Sequence, residues 1–384
     1  MSQSSDVVVI DIGSRMISAY GAERLSDDNF AVKTTCEIEY EGYRDGRWLK
    51  GEEVIPSLVK LVDKLERGSG KIKSIYVGIP ADFCVIRTVY DKMVFPKAKR
   101  ITSADIQELY EANDPFCDSS EYTRIHADAA YFMNDKGDRM RDPIGTVTSF
   151  LKCQLSYVGA ESRTLSFLRQ GLMRQGIKNV RFLQSEFVSA LSLFGEEERD
   201  GGVIVADIGY LVTSVAYVGG DAVLDMKTFS LGGSLVPTGL SHELNIPFRV
   251  AAALASKVNL GFKEEGEYSL KYDAQTYSFP VSEVNRIVEE CVRCVMNYVQ
   301  KAIRSFRFEP SPYATVFLTG GGFSEIRFAR EYASKCLGRS VETVQPTAPN
   351  FAKPYYSTAV GLLRAALAIE KEDRFGFVKK LFRL

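Results

Sequence analysis

Histidine is nearly absent. His126 and His242 are the only two in 384 residues, which excludes a histidine-rich metal centre and acid–base chemistry shared between several histidines. No run of about 18 apolar residues occurs, and Met1–Asp6 is polar, without the basic and apolar regions of a signal peptide. The expectation is a cytosolic chain with no spanning helix. Charge of one sign is not in excess either. Forty-eight Lys plus Arg stand against 49 Asp plus Glu, a net charge of −1, so the protein as a whole is no electrostatic platform for nucleic acid. Cysteines number seven, an odd and scattered set that fits free thiols in a reducing compartment better than a disulfide framework. Cys291 and Cys294 form a CxxC, but they lie in a helix-period run with Val284, Ile287, Val288, Val295 and Val299. No second pair completes a zinc site, so they read as core thiols. His242 reads as a capping or surface residue. Hydrophobic residues make up 45% of the chain, enough at this length for two or three domain-sized cores.

What is present is an internal repeat. Val7–Gly21 reads VVVIDIGSRMISAYG and Val203–Tyr217 reads VIVADIGYLVTSVAY. A constant offset of 196 aligns Asp11 with Asp207, Ile12 with Ile208, Gly13 with Gly209 and Ser18 with Ser214. Each copy is an apolar run, then Asp-Ile-Gly, then a second strand-like run. That pattern predicts a β-hairpin whose tight turn follows a carboxylate.

Around the copies, strand and helix patterns alternate, which predicts α/β layers. Strands are expected at 75–79, 84–94, 124–131, 146–157, 180–183 and 315–318. Helices are expected from Thr102, over 161–175, 185–194, 235–244, 248–258 and 281–304, and from Ser324 and Tyr356. Glu196–Asp200 with Gly201 and Gly202 reads as a linker between halves. Lys97–Arg100 reads as a solvated basic loop, and Trp48 with Tyr40 and Tyr43 as an exposed, aromatic-packed hairpin or loop. Ala314–Ala329 reads ATVFLTGGGFSEIRFA: a buried strand, then three successive glycines at Gly320, Gly321 and Gly322, then a helix. Glycines let backbone approach a ligand, and a helix N-terminus presents N–H groups to an anion.

Two strand-Asp-x-Gly hairpins and a later glycine turn around one cleft resemble the actin superfamily and, within it, the FtsA family of bacterial cell-division proteins. VVVIDIGSRMISAYGAE is similar to the family's first phosphate loop, VIVADIGYLVTSVAYVGG to its second, and FLTGGGFSEI to its adenosine loop. SIYVGIPADFCVI and RDPIGTVTSFLKCQLSYVGAES resemble the start and the closing strands of its inserted subdomain, and LGGSLVPTGLSHELNIP its return toward the nucleotide. The resemblance implies an actin-like, two-lobed α/β fold of duplicated ribonuclease-H-like halves with an α+β insertion. The first lobe is expected at 1–80, 158–200 and 355–371, and the insertion at 81–157. The second-lobe core is expected at 201–236 and 312–354, its helical subdomain at 237–311, and a terminal amphipathic helix at 372–384. It further implies ATP and Mg²⁺ as cofactors, held by Asp11, Gly13, Ser14, Arg15, Asp207, Gly209, Gly320, Gly321, Gly322 and Phe323, with Asp11 and Asp207 on the metal side through water.

The chain departs from the family at its second loop. Tyr210, Leu211, Val212, Thr213 and Ser214 stand where glycines, a threonine and an aspartate are usual, and Pro237-Thr238-Gly239 lacks a second carboxylate. Phosphoryl transfer depends on such positioning groups, so the expectation is a nucleotide-binding protein with weak or absent ATPase activity.

The tail carries its own signal. At about 100° per residue, Phe375, Phe377, Val378, Leu381, Phe382 and Leu384 share one half of a helical wheel, opposite Lys379, Lys380 and Arg383. That is the pattern of an interfacial helix on anionic lipid; a terminal helix docked on its own protein, or in a partner's groove, is the alternative. With the resemblance, the expected function is a cytoplasmic adaptor at the division site. It would bind nucleotide, assemble head-to-tail with itself and tether FtsZ to the plasma membrane. The alternatives are a pilus-assembly-type adaptor that binds a partner peptide, or an actin-superfamily ATPase.

Overall fold

The computed structural model describes residues 6–25, 29–48, 54–69, 71–72, 74–261, 265–273 and 275–375. Two five-stranded sheets carry the same topology. In the first, the order is Asn179–Gln184, Ser74–Ile79, Val7–Ile12, Met16–Arg24, Phe30–Glu39. In the second it is Val341–Thr343, Val316–Thr319, Val203–Ile208, Thr213–Gly219, Ala222–Phe229. In each, the central strand pairs parallel with a later strand on one side and antiparallel with its own hairpin partner on the other.

The hairpins of the repeat match bond for bond. Asp11 faces Ser18 and Asp207 faces Ser214. Gly13 N–H donates to Met16 O at 2.9 Å, and Gly209 N–H donates to Val212 O at 2.9 Å. The offset of 196 read from the sequence is therefore also the offset between matching turn bonds.

Strand periodicity sends alternate residues to opposite faces, and the second sheet's central strand shows it. Val203 and Val205 pack in the core shared with the first lobe, while Ile204, Ala206 and Ile208 pack beneath the helices of the second lobe. The largest of those helices, Val281–Arg304, buries one face that includes Val284, Val288, Cys291, Val295 and Val299. Cys291 is buried and Cys294 partly so, neither in a disulfide, which agrees with their reading as core thiols. The last helix, Ser357–Phe375, packs on the helix Ser185–Leu193 and the strand Val7–Ile12.

Between Ile79 and Ser162 the chain builds a separate four-stranded sheet, ordered Cys84–Arg100, Val147–Glu161, Tyr122–Met133, Arg139–Met140. Its helix, Ser103–Ala112, starts at a capping box in which Thr102 and Asp105 satisfy each other's backbone N–H groups.

Three expectations are corrected. Lys97–Arg100 is the end of a strand, not a loop, with Lys99 bonded to Asp105 at 2.7 Å. Glu196–Asp200, the expected connection between the halves, takes the form of a short helix with a buried Arg199. Tyr40 and Tyr43 are buried: the Tyr43–Trp48 hairpin folds its aromatics onto Phe83, and Tyr40 Oη donates to Gly13 O at 2.7 Å. The helix after the glycine turn begins at Ala329, not Ser324. Phe377–Leu384 and the side chain of Phe375 lie outside the described residues; Phe375 is the last described residue of its helix. Among the described residues, no helix is long and apolar enough to cross a membrane.

Candidate functional site

The two hairpin turns face each other across a cleft of about 640 Å³. Asp11, Gly13, Ser14 and Arg15 line it from the first lobe, and Asp207, Gly209 and Tyr210 from the second. Gly320, Gly321 and Gly322 close the floor, and Val236, Pro237, Ala252 and Ala255 form a more apolar end. Such a volume with a few convergent polar groups suits a small-molecule ligand.

Of the residues expected at this site, Phe323 alone is not brought to the cleft wall. It is buried in the second-lobe core, because the chain turns inward after Gly322 before the delayed helix. The glycine turn also works differently from the expected cradle. Gly322 N–H donates to Ile208 O at 2.7 Å and Gly320 N–H donates to Pro354 O at 3.2 Å. A Cβ on Gly322 would lie 2.5 Å from Ile208 Cγ2, and one on Gly320 would lie 2.2 Å from Asp207 Oδ1. Two of the three glycines are thus required by the approach of the turn to the second hairpin.

The bulky second loop has an evident role. Leu211 N–H donates to Ser14 Oγ at 3.0 Å, and the Arg15 guanidinium lies 4.8 Å from the centre of the Tyr210 ring. Arg15 also pairs with Glu39 at 2.8 Å. Where small residues would leave room, this loop reaches across and grips the first.

Electrostatically the cleft is dominated by carboxylates. Burial raises Asp11 to about 7, with Asp207 adding to the shift. Asp207 is itself raised to about 6 by burial, opposed by a hydrogen bond from Thr358. Glu186 was not anticipated from the sequence. It stands at the start of the helix Ser185–Leu193, lines the cleft, and is raised to about 8, first by burial and then by Asp207. Its partners are Ala81 N–H at 3.3 Å and the Gln184 side-chain amide. The only sequence signal for it is an acidic residue in the first turn of a helix following a buried parallel strand, and strands of this kind deliver their ends to ligand crevices. All three carboxyls keep one side toward the cleft and protein on the others. A group that holds its proton near neutrality, like Glu186, can take or give one at the cleft floor.

Among the described residues, no group of three or more His, Cys, Asp or Glu is arranged to hold a metal by itself. Asp11 and Asp207 therefore fit a divalent cation only as partial donors, with phosphate oxygens and water completing the shell, which is the ordinary habit of Mg²⁺.

Two lobes of duplicated topology closing on paired Asp-x-Gly hairpins define an actin-like protein. Solved structures agree on the fold: the PilM–PilN type IV pilus biogenesis complex matches with a TM-score of 0.64 at 14% identity over 94% of this chain and 98% of that one. MreB5 of Spiroplasma citri bound to ADP matches with a TM-score of 0.56 at 11% identity over 96% and 98%. No protein-family model matches the chain. Curated relatives include FtsA cell-division proteins of several bacteria. The cell division protein FtsA of Pseudomonas aeruginosa is 23% identical, covering 95% of this chain and 90% of that protein. FtsA of Bacillus subtilis is 21% identical, covering 95% and 84%. The chain thus resembles the FtsA cell-division proteins over nearly its whole length, at 21–23% identity.

Proposed function

We propose that the protein is a nucleotide-binding membrane adaptor of bacterial cell division: it polymerises head-to-tail and tethers FtsZ filaments to the inner face of the plasma membrane at the septum. The observation that carries the nucleotide reading is the convergence of Asp11, Asp207 and the glycine turn on one cleft between duplicated lobes. Asp11 and Asp207 would hold Mg²⁺ through water, and Ser14, Arg15 and Gly209 would face the phosphates. When bound, the cation would neutralise phosphate charge. Nucleotide here acts mainly as a cofactor of assembly. The Tyr210–Leu211 grip on Ser14 and Arg15 occupies the phosphate end, which disfavours rapid hydrolysis, although Glu186 is placed to handle a proton.

The tether rests on the resemblance and on the pattern of the tail. Head-to-tail contacts do not close on themselves, and many weak tails on one filament add avidity. Lobe and insertion limits follow the family division: 1–80, 158–200 and 355–371; 81–157; 201–236 and 312–354; 237–311; and the tail 372–384. FtsZ would meet the helical part, 237–311.

The test is co-sedimentation of the full chain, and of a chain ending at Glu372, with anionic and neutral liposomes, with and without ATP and Mg²⁺. Binding that needs both the tail and anionic lipid, and that strengthens with ATP, is expected. Tail-independent binding or none overturns the tether. A second reading, a soluble adaptor for a partner peptide, is favoured by the 0.64 TM-score to the PilM–PilN complex, and it predicts no lipid dependence.

A further inference from the structure

The inserted sheet belongs to the first lobe by chain order, yet it is docked on both. Its root is in the first lobe: Ile86, Ile125, Val158 and Ala160 share the core of Ile10 and Leu183, and His126 Nε2 accepts the Gln184 N–H at 2.8 Å. Its flank lies on the outermost strand of the second lobe, Ala222–Phe229. There Thr88 Oγ1 donates to Leu224 O at 2.9 Å, Ser156 Oγ donates to Val223 O, and Ala130 packs with Ala222 and Leu224.

A charged clasp closes this contact. Asp221 Oδ1 accepts from Arg199 at 2.7 Å and from Arg141 at 2.6 Å, and Arg141 also holds Asp200 at 2.8 Å. Arg141 comes from the insertion, Arg199 and Asp200 from the helix joining the lobes, and Asp221 from a second-lobe hairpin turn. Arg199 is buried and donates further to Gly220 O at 2.9 Å. The turn is seated closely: Gly220 has φ +58°, and a Cβ there would lie 2.0 Å from Ala130 O. Only glycine satisfies both the backbone angle and that approach.

We infer that the insertion is a brace, held by the Arg141–Asp221–Arg199 clasp, that restrains the two lobes from opening about the cleft. A root in one lobe and a flank on the other leave the lobes unable to separate without breaking the clasp or pulling the insertion from its own core. The clasp is ionic and partly exposed, so salt weakens it, and the brace makes cleft opening sensitive to ionic strength. This goes beyond the nucleotide reading and does not depend on it.

The experiment is hydrogen exchange on the full, ligand-free chain, comparing wild type, Asp221→Ala and Arg141→Gln, each shown to be folded by circular dichroism. The diagnostic amide is Leu211 N–H, which bridges the lobes through Ser14 Oγ and lies outside the clasp. Loss of one partly exposed ionic partner is expected to speed its exchange roughly fivefold to tenfold, in both variants and in wild type at about 1 M salt. Faster exchange confined to the peptides around Ala129–Tyr131 and Gly220–Ala222, with Leu211 unchanged, would mean a local contact only and would overturn the brace. Arg141→Gln, milder because Arg199 keeps Asp221, guards against reading a folding defect as opening.

Discussion

Ser14 and Leu211 are hydrogen-bonded across the cleft at 3.0 Å although 197 positions separate them. They belong to equivalent turns of the internal repeat, so the two halves of the duplication touch at the place where the superfamily resemblance puts phosphate. Ser14→Ala removes the acceptor and leaves the half-buried Leu211 N–H without it, at an expected cost of about 1 kcal/mol. Urea unfolding measures that cost. A variant as stable as wild type would mean that the loops do not hold each other in solution.

The three cleft carboxyls predict an inverted pH profile. Asp11, Asp207 and Glu186 are raised to about 7, 6 and 8 from ordinary values of 3.8, 3.8 and 4.5. Between the ordinary and the raised values the folded chain holds protons that the unfolded chain has released, so stability falls as pH rises. The loss begins above about 4 and is complete beyond about 8; because the groups interact, they titrate as a set. Thermal melts of the ligand-free chain from about pH 5 to about pH 9 should show Tm declining through this window. Glu186→Gln should melt above wild type at about pH 8.5 and close to it at about pH 5. A wild-type Tm that rises between about pH 6 and about pH 8 would remove the basis for this picture.

Packing at the glycine turn sets a third expectation. Gly322→Ala places a methyl 2.5 Å from Ile208 Cγ2 and 2.8 Å from Gly209 O, which should destabilise by about 1–3 kcal/mol, the usual cost of overfilling a packed site. Gly321→Ala meets only Tyr355 Cβ, at 3.2 Å, and should cost much less. Equal losses in the two variants, read from denaturant midpoints, would contradict the packing role.

Much of the fold is legible before any tertiary information. The long helix is expected over 281–304 and found at Val281–Arg304, since a heptad-like apolar stripe is a local pattern. The Thr102 cap is likewise a local signature. Where the local pattern misleads, a nonlocal partner is the cause. Lys97–Arg100 is polar enough for a loop, but the start of Val147–Glu161 pairs with Lys99 and Arg100 and draws the segment into a strand. Tyr40 and Tyr43 have loop-like neighbours, but Phe83 and Trp48 supply a place to bury Tyr43, and Gly13 O accepts from Tyr40 Oη at 2.7 Å.

The sequence by itself determined the duplication, the two Asp-x-Gly turns and their register, because turn chemistry and strand alternation are written in a few adjacent residues. Tertiary structure decided the rest of the cleft. It brought Glu186 to the floor, turned Phe323 into the core, and committed the amides of Gly320 and Gly322 to the second hairpin and its surroundings. It also laid the insertion across to the second lobe, where Arg141, Arg199 and Asp221 meet. Those arrangements depend on which faces find each other when two cores close, and side chains far apart in the chain carry no local mark of their future neighbours.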